Sequence, residues 1–330
     1  MNRLKVLITG GAGFIGLHLT RFLLEKGYEV TLCDDLSRAT LEDEEFIQIS
    51  RNPSVTWFRR DLTVASAWEN LGPYYDFVYH LAAINGTSHF YNRPAEVLRV
   101  NLQTTLNLVQ WASEKRCGKI VFASSSEVYA SLFELAHLPI PTNESVPVGV
   151  TDLYNPRFSY AGSKIAGELL LLHSDLHACI VRYHNIYGPR MGFEHVIPSF
   201  CVRILHKEDP FPIYGGKHRR AFCYVQDAIR ATHAVMENDE TNRQIVNIGN
   251  DEQEIAIVDL AERLFQVTGY HPKAVLEKEA PEGAVLRRCP DLSKIRKWIG
   301  FQPEITLNEG LLRTWEWYRT KERLQLRGVS

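Results

Sequence analysis

Short apolar runs and longer amphipathic stretches alternate over the first two-thirds of this chain. Residues 4–9 form the first apolar run. From 14 to 25 the apolar residues Ile15, Leu19, Phe22 and Leu23 recur at helical spacing, which gathers them on one side. Runs at 29–33, 55–58, 77–80, 119–123 and 178–183 read as five further strands, with long helical patterns over 95–114 and 159–172. Apolar strands separated by helices build a parallel sheet covered on both faces. The expected class is therefore α/β, a doubly wound parallel sheet.

The pattern breaks in two places. Residues 138–156 are rich in proline and polar side chains and read as a long loop after the fifth strand; loops of that length are usually functional or lids. After Tyr187 come Pro189, Pro198, Pro210 and Pro212, which we take as the start of a smaller, discontinuous C-terminal domain. The division expected is 1–186 for the first domain and 187–330 for most of the second, with segments near 222–255 returning to the first. Residues 307–323 have the pattern of an amphipathic closing helix, whose Arg313, Arg319, Lys321 and Arg323 read as a solvated face rather than a binding patch.

Composition narrows the function classes. A chain of 330 residues with 45% hydrophobic and 23% charged residues has ample material for a core. Its formal net charge of -2 supplies no bulk attraction to nucleic acid or anionic lipid, so neither partner is expected. The cysteines (Cys33, Cys117, Cys179, Cys201, Cys223, Cys289) are scattered, with no metal-ligand spacing and no disulfide framework, so no metal is expected and reduced thiols point to the cytoplasm. The apolar run at the N-terminus is too short for a signal segment, and no stretch approaches a membrane span.

The chemistry starts at Thr9-Gly10-Gly11-Ala12-Gly13-Phe14-Ile15-Gly16, between the first strand and the first helix. Glycines permit a tight turn and let backbone N–H groups approach a pyrophosphate at the helix N-terminus, the Rossmann-type arrangement. Asp34 ends the next strand, where a carboxylate accepts hydrogen bonds from ribose hydroxyls and repels a 2′-phosphate. That favours NAD over NADP, although Arg38 lies close by. Asp61, after the third strand, is a weaker candidate for the adenine end.

Tyr160-Ala161-Gly162-Ser163-Lys164 begins a helical stretch, and positions i and i+4 share a face. A phenol has a pKa of ~10. A neighbouring ammonium and an oxidised nicotinamide both favour the phenolate, which makes Tyr160 a base for a hydroxyl proton while hydride leaves the same carbon. Ser124-Ser125-Ser126-Glu127-Val128-Tyr129 leaves the end of the fifth strand, where ligands bind in open α/β sheets. A hydroxyl there can hold a substrate hydroxyl and assist transfer to Tyr160.

The order of Gly10 to Gly16, His80-Leu81-Ala82-Ala83, Ser125 to Tyr129, Tyr160 to Lys164, Arg182 to Pro189, Arg220 to Asp227 and Pro290 to Lys294 resembles that of the NAD-dependent epimerase/dehydratase family, extended short-chain dehydrogenases/reductases that modify nucleotide sugars. The resemblance covers nearly the whole chain. It implies NAD contacts at Gly10, Gly13, Phe14, Ile15, Gly16, Asp34, Asp61, Leu62, Leu81, Ala82, Ala83, Tyr160 and Lys164. It implies that Ser125 touches the reacting hydroxyl, with Ser126 and Glu127 beside it. It further implies nucleotide-diphosphate-sugar contacts at Thr87, Asn185, Val196, Ile197, Tyr214, Arg220 and Arg288. Read from position alone, Arg220 is equally a surface arginine and Asn185 a strand-end cap. Glu194 and His195 match no family signature; His195 reads as a pocket wall or structural histidine, since no second ligand is spaced for a metal. Relatives commonly form homodimers through helices corresponding to 95–114 and 159–172.

Oxidation at sugar carbon 4 leaves a ketone that opens four outcomes: epimerisation, 4,6-elimination, decarboxylation of a carbon 5 carboxylate, or net release of the ketone. The resemblance predicts Asp-Glu after the serine in 4,6-dehydratases, and this chain has Ser126-Glu127. That pair, with Arg288, is most similar to UDP-glucuronate decarboxylases. The 4-epimerase, 4,6-dehydratase and 4-dehydrogenase readings stay open, because 85–90, which should border the sugar, fits none of these groups. A non-catalytic dinucleotide-sensing protein is a remote alternative, since Tyr160 and Lys164 are both kept, and Arg220 and Arg288 weigh against a reductase of non-sugar alcohols.

Overall fold

The structure is a computed structural model that describes residues 3–38, 43–72, 74–115, 117–133, 135–281 and 283–327. Side chains after Lys321 lie outside that description, including Arg323 of the expected solvated face.

The first half runs β1 (Lys5–Thr9), α1 (Phe14–Glu25), β2 (Glu29–Asp34), α2 (Glu44–Ser50), β3 (Val55–Arg59), β4 (Phe77–His80), α3 (Thr87–Asn92), α4 (Pro94–Lys115), β5 (Lys119–Ser125), α5 (Phe158–Leu172) and β6 (Ala178–Tyr183). There follow β7 (Ile186–Tyr187), α6 (Val196–Leu205), β8 (Phe211–Tyr214), β9 (Arg219–Ala221), β10 (Cys223–Tyr224), α7 (Val225–Glu237) and β11 (Ile245–Ile248). The chain then runs through β12 (Glu254–Ala256), α8 (Ile257–Thr268), β13 (Val275–Lys278), β14 (Arg287–Arg288), α9 (Ser293–Ile299) and α10 (Leu307–Arg327).

One seven-stranded sheet, in the order β11-β6-β5-β4-β1-β2-β3, forms the centre, and every pairing in it is parallel. The six strands expected from the apolar runs are six of these seven. The seventh, β11, pairs beside β6 although α6, α7 and four short strands lie between them in sequence. The inner strands are covered on both faces, which is why β6 is buried at each of its positions and β1 at all but its first. Burying such side chains at about 25 cal/mol per Å² supplies the main drive for this layer. The strand order reverses between β1 and β4, so a crevice opens at the carboxyl ends of those strands. Gly10, Asp34, Leu81 and Ser125 all sit at strand carboxyl ends around it.

The remaining short strands pair as β12-β9-β14, antiparallel then parallel, and as the parallel β13-β8 ribbon, with α10 packed on α6 and α8. In α10, Arg313 pairs with Glu309 and Arg319 with Glu316, while Lys321 reaches Glu44. The 138–156 loop is tied down near one end. Thr142 N donates to the Cys289 carbonyl, and Asp291 N donates back to the Thr142 carbonyl. No helix among the described residues is long and apolar enough to cross a membrane. The cysteines are all free thiols, five of them buried.

Candidate active site

The glycine turn is built by close approach. Gly10 has φ +70°, and a Cβ there would meet Ala82 N at 2.8 Å and the Leu81 carbonyl carbon at 2.9 Å. A Cβ on Gly16 would strike the Gly10 carbonyl. The strand ends after β1 and β4 thus touch through bare backbone, and α1 packs directly on the turn. Gly13 is the N-cap of α1 and offers no side chain to its first-turn N–H groups. Uncapped donors at the positive end of a helix suit an anion. At the end of β2 the Asp34 carboxylate accepts from Ala12 N at 3.0 Å and Leu36 N at 2.8 Å, which hold it beside the turn; burial pushes its pKa up against those bonds. A bare glycine turn at a helix N-terminus with a carboxylate at its rim fits NAD.

Other sequence candidates for this groove vary in placement. Phe14 and Ile15 open α1, and Ala83 follows Leu81 and Ala82 off β4; all are half-buried. Asp61 is exposed and occupied by its own turn, accepting from Thr63 N and Oγ1. The Leu62 side chain packs in the core, and its carbonyl accepts from Trp68 and Asn107, so any ligand contact there falls to the remaining backbone. Arg38 is turned away from Asp34: Nη1 donates to the Asn85 carbonyl at 2.9 Å and Nη2 lies 3.4 Å from Glu194.

Around the end of β5 the structure brings the catalytic candidates together. Ser125 Oγ caps the short helical turn Ser126–Leu132 by accepting from Glu127 N at 3.2 Å, and it hydrogen-bonds Tyr160. Tyr160 is buried and stacks on Phe90, with ring centroids 4.8 Å apart. The expectation that Lys164 draws Tyr160 toward phenolate needs correction. Burial and then the Glu127 charge push the Tyr160 pKa above that of a free phenol; the groups that lower it are Ser125 and Arg38. The Lys164 ammonium lies over the ring faces, 4.9 Å from the Phe122 centroid and 5.6 Å from that of Tyr160. Burial lowers its own pKa to about 7, with Glu168 opposing.

Glu127 is clamped by two arginines. Arg288 Nη1 donates to Oε1 at 2.8 Å, and Arg157 Nη2 reaches both carboxylate oxygens at 3.2 and 3.3 Å. Burial favours the neutral acid, but Arg288 and Arg157 outweigh it and hold the Glu127 pKa down at about 2. Ser126 Oγ sits 3.5 Å from Arg288. Arg220 points its guanidinium at the carbonyls of Arg219, Val285 and Leu286, and burial with the nearby Arg288 lowers its pKa to about 9. It is not the plain surface arginine that position alone allowed.

The remaining substrate candidates are more dispersed. Thr87 opens α3, Asn185 has φ +45° and donates to the Ala221 carbonyl, and Val196 opens α6. Ile197 is a core residue, and Tyr214 is 52% exposed beside Lys278. Glu194 lies between Arg38 and His89, and burial lowers the His195 pKa to about 4. No cluster of ligating side chains among the described residues could hold a metal.

Two groups escaped the sequence reading. Arg157 lies three residues before Tyr160 and had no motif to flag it. Behind Lys164, Glu168 forms a buried pair with Arg182 and accepts from Ser124 at 2.5 Å. The available signal was an arginine inside the wholly buried strand Ala178–Tyr183, since a charge in such a strand needs a partner.

Comparison with known proteins places the chain among nucleotide-sugar enzymes. The sequence profile described as the NAD dependent epimerase/dehydratase family matches residues 6–249. A UDP-N-acetyl-alpha-D-glucosaminuronate decarboxylase of Bacillus cytotoxicus is 34% identical, over 96% of this chain and 98% of that protein. UDP-glucuronic acid decarboxylase 1 of Arabidopsis thaliana is 31% identical, over 94% of this chain and 69% of that protein. Among solved structures, the dTDP-glucose 4,6-dehydratase DesIV of Streptomyces venezuelae, with NAD bound, superposes with a TM-score of 0.86 at 27% identity, over 97% of this chain and 98% of the other. The UDP-glucose 4-epimerase of Thermotoga maritima gives 0.84 at 27%, over 97% and 100%. With its glycine cradle, Tyr160 and Lys164 on one helix, and a profile match across most of its length, this chain belongs to the NAD-dependent epimerase/dehydratase family of nucleotide-sugar-modifying enzymes.

Proposed function

We propose that this protein decarboxylates a nucleoside-diphosphate uronate, such as UDP-glucuronate, through transient oxidation at sugar carbon 4. The observation that carries the reading is the Arg288–Glu127 contact at 2.8 Å, one residue beyond Ser126 and two beyond the serine bonded to Tyr160. It supports a net-positive cluster beside the reacting hydroxyl, where a carboxylate-bearing sugar would lie. Gly10, Gly13, Gly16 and Asp34 would hold NAD, which supplies the hydride acceptor for carbon 4.

Tyr160 takes the carbon 4 hydroxyl proton, and Ser125 holds that oxygen in line. Tyr160 has to be phenolate to accept that proton, a form that the positive charge of bound NAD would favour, while Lys164 over its ring face would hold the cofactor ribose. A carbon 4 ketone makes the carbon 5 carboxylate a β-keto acid. As carbon dioxide leaves, the electron pair flows to the carbon 4 oxygen, where Tyr160 and Ser125 donate hydrogen bonds. Arg220 and Asn185 are read as diphosphate ligands, with Thr87, Val196, Ile197 and Tyr214 along the rest of the substrate. Charge-assisted bonds from arginine suit phosphate.

We read residues 1–186 with β11 as the cofactor domain and most of 187–330 as the substrate lobe. We also read the chain as a cytoplasmic homodimer that pairs through α4 and α5. Leu98, Leu106 and Leu169 are exposed on those helices, which supports that face. A 4-epimerase is the second reading, supported by the solved neighbours. Protein incubated with NAD and UDP-glucuronate should release carbon dioxide and form a UDP-pentose. Tyr160→Phe should lower that turnover by at least ~100-fold while NAD still binds. Unchanged UDP-glucuronate, with interconversion of a UDP-hexose pair instead, would overturn decarboxylation in favour of epimerisation.

A further inference from the structure

Glu127 sits among more positive charge than it can neutralise. Arg157, 8% exposed, gives it one nitrogen and leaves Nε buried without a hydrogen-bond partner. Its side chain also hydrogen-bonds Tyr91. Arg288, 5% exposed, also gives one nitrogen and leaves both Nε and Nη2 buried without partners. Arg220 adds a third cation whose hydrogen bonds reach only backbone carbonyls. A buried guanidinium N–H without an acceptor is costly, and an excess of buried cations more so. Such an arrangement persists where a bound anion completes it. A diphosphate would engage Arg220, and the buried N–H groups of the Arg157–Arg288 pair, at Arg157 Nε and Arg288 Nε and Nη2, would still want an acceptor.

Position separates the duties of these arginines. Arg157 immediately precedes α5, three residues from Tyr160, and shares a carboxylate with Arg288 at the end of β5. Tyr160 addresses the carbon 4 hydroxyl, and the next ring carbon carries the substituent that distinguishes a uronate from a neutral hexose. We propose that Arg157 is a specificity-determining residue that receives the carboxylate on carbon 5 of the sugar. The assignment rests on the reading of the substrate as a nucleotide uronate.

The direction of the kinetic effect follows from charge. The carboxylate is anionic in the bound substrate and departs as neutral carbon dioxide, while the electron pair moves to the carbon 4 oxygen. An arginine on the carboxylate therefore stabilises the bound substrate at least as much as the transition state. Its loss should raise KM far more than it lowers kcat. A residue that merely supports the fold, or merely orients Glu127, would weaken neutral and anionic sugars alike.

The test compares Arg157→Gln with wild type on UDP-glucuronate turnover, and on affinity for UDP-glucuronate, UDP-glucose and UDP-xylose by calorimetry. KM and Kd for UDP-glucuronate should rise on the order of 10- to 100-fold, the scale of one charge-assisted bond. Affinity for the two neutral sugars should stay within about 2-fold, and KM for UDP-glucuronate should rise by a larger factor than kcat falls. Arg157→Lys keeps the charge and loses the fork, so it should show the same selective loss at a smaller factor, and it decides the matter should the glutamine variant fail to fold. An unchanged UDP-glucuronate affinity, or equal weakening of all three sugars, overturns the proposal. Wild type that releases no carbon dioxide removes the functional reading, while the ratio of anionic to neutral binding still decides the role of Arg157.

Discussion

The molecule contains two buried arginine–carboxylate clusters within one helix of each other, and they are built to opposite ends. In the first, Arg182 is 2% and Glu168 4% exposed, and each guanidinium nitrogen of Arg182 has a partner in Glu168, Tyr129 or the Glu144 carbonyl. One cation meets one anion and nothing is left over. In the second, Arg157 and Arg288 share Glu127, Arg220 stands near, and three guanidinium nitrogens of the clamping pair are buried without partners. Similar residue types produce a closed structural joint in one case and a cluster with unmet donors in the other. The difference lies in charge balance and hydrogen-bond satisfaction, which separates a brace from a binding site.

Substitutions sharpen that contrast. Glu168→Gln should have the largest effect on stability. It leaves Arg182 buried without its counter-charge, at a cost of about 3–5 kcal/mol, measured as a shift in the urea unfolding midpoint. UDP-glucuronate should add the same stability increment to this variant as to wild type, leaving the gap unchanged. Glu127→Gln should cost less, on the order of 2–3 kcal/mol at neutral pH, and added UDP-glucuronate should recover part of the loss.

The pH dependence has a definite sign. The Glu127 pKa is held at about 2, below its unfolded value of ~4.3, so its contribution is complete above ~4.3 and disappears as pH falls through about 2. The stability gap between wild type and Glu127→Gln should therefore close over that window. Equal costs at the two glutamates, with equal response to ligand, would erase the distinction between brace and site. The smallest effect belongs to Glu194→Gln. Arg38 and Glu194 are 36% and 27% exposed and 3.4 Å apart, so losing the pair should change stability by less than about 1 kcal/mol.

The legible parts of the chain were those written in local pattern. Six central strands and the helices 14–25, 95–114 and 159–172 lie at or within a residue or two of their expected bounds, because inner parallel strands and their covering helices must be apolar at fixed periods. β11 was not legible as part of the sheet. Its four residues carry no strand signal beyond other short runs, and its place beside β6 goes with α7 packing across both strands. Gly10, Asp34, Ser125 and Tyr160 stood out because turn geometry and strand ends dictate their residue types. Arg157 and Glu168 did not, because nothing near them in sequence reveals which charge they will meet.

By itself the sequence determined the layer architecture, the glycine cradle and the tyrosine–lysine spacing, each set by contacts within a few residues. The tertiary structure alone decided the charge state of the site. Whether an arginine is balanced or left wanting an anion depends on groups brought from β5, α5, β9 and β14, far apart along the chain, and on the water they exclude. Electrostatic energy depends on distance and burial in space, neither of which the order of residues contains.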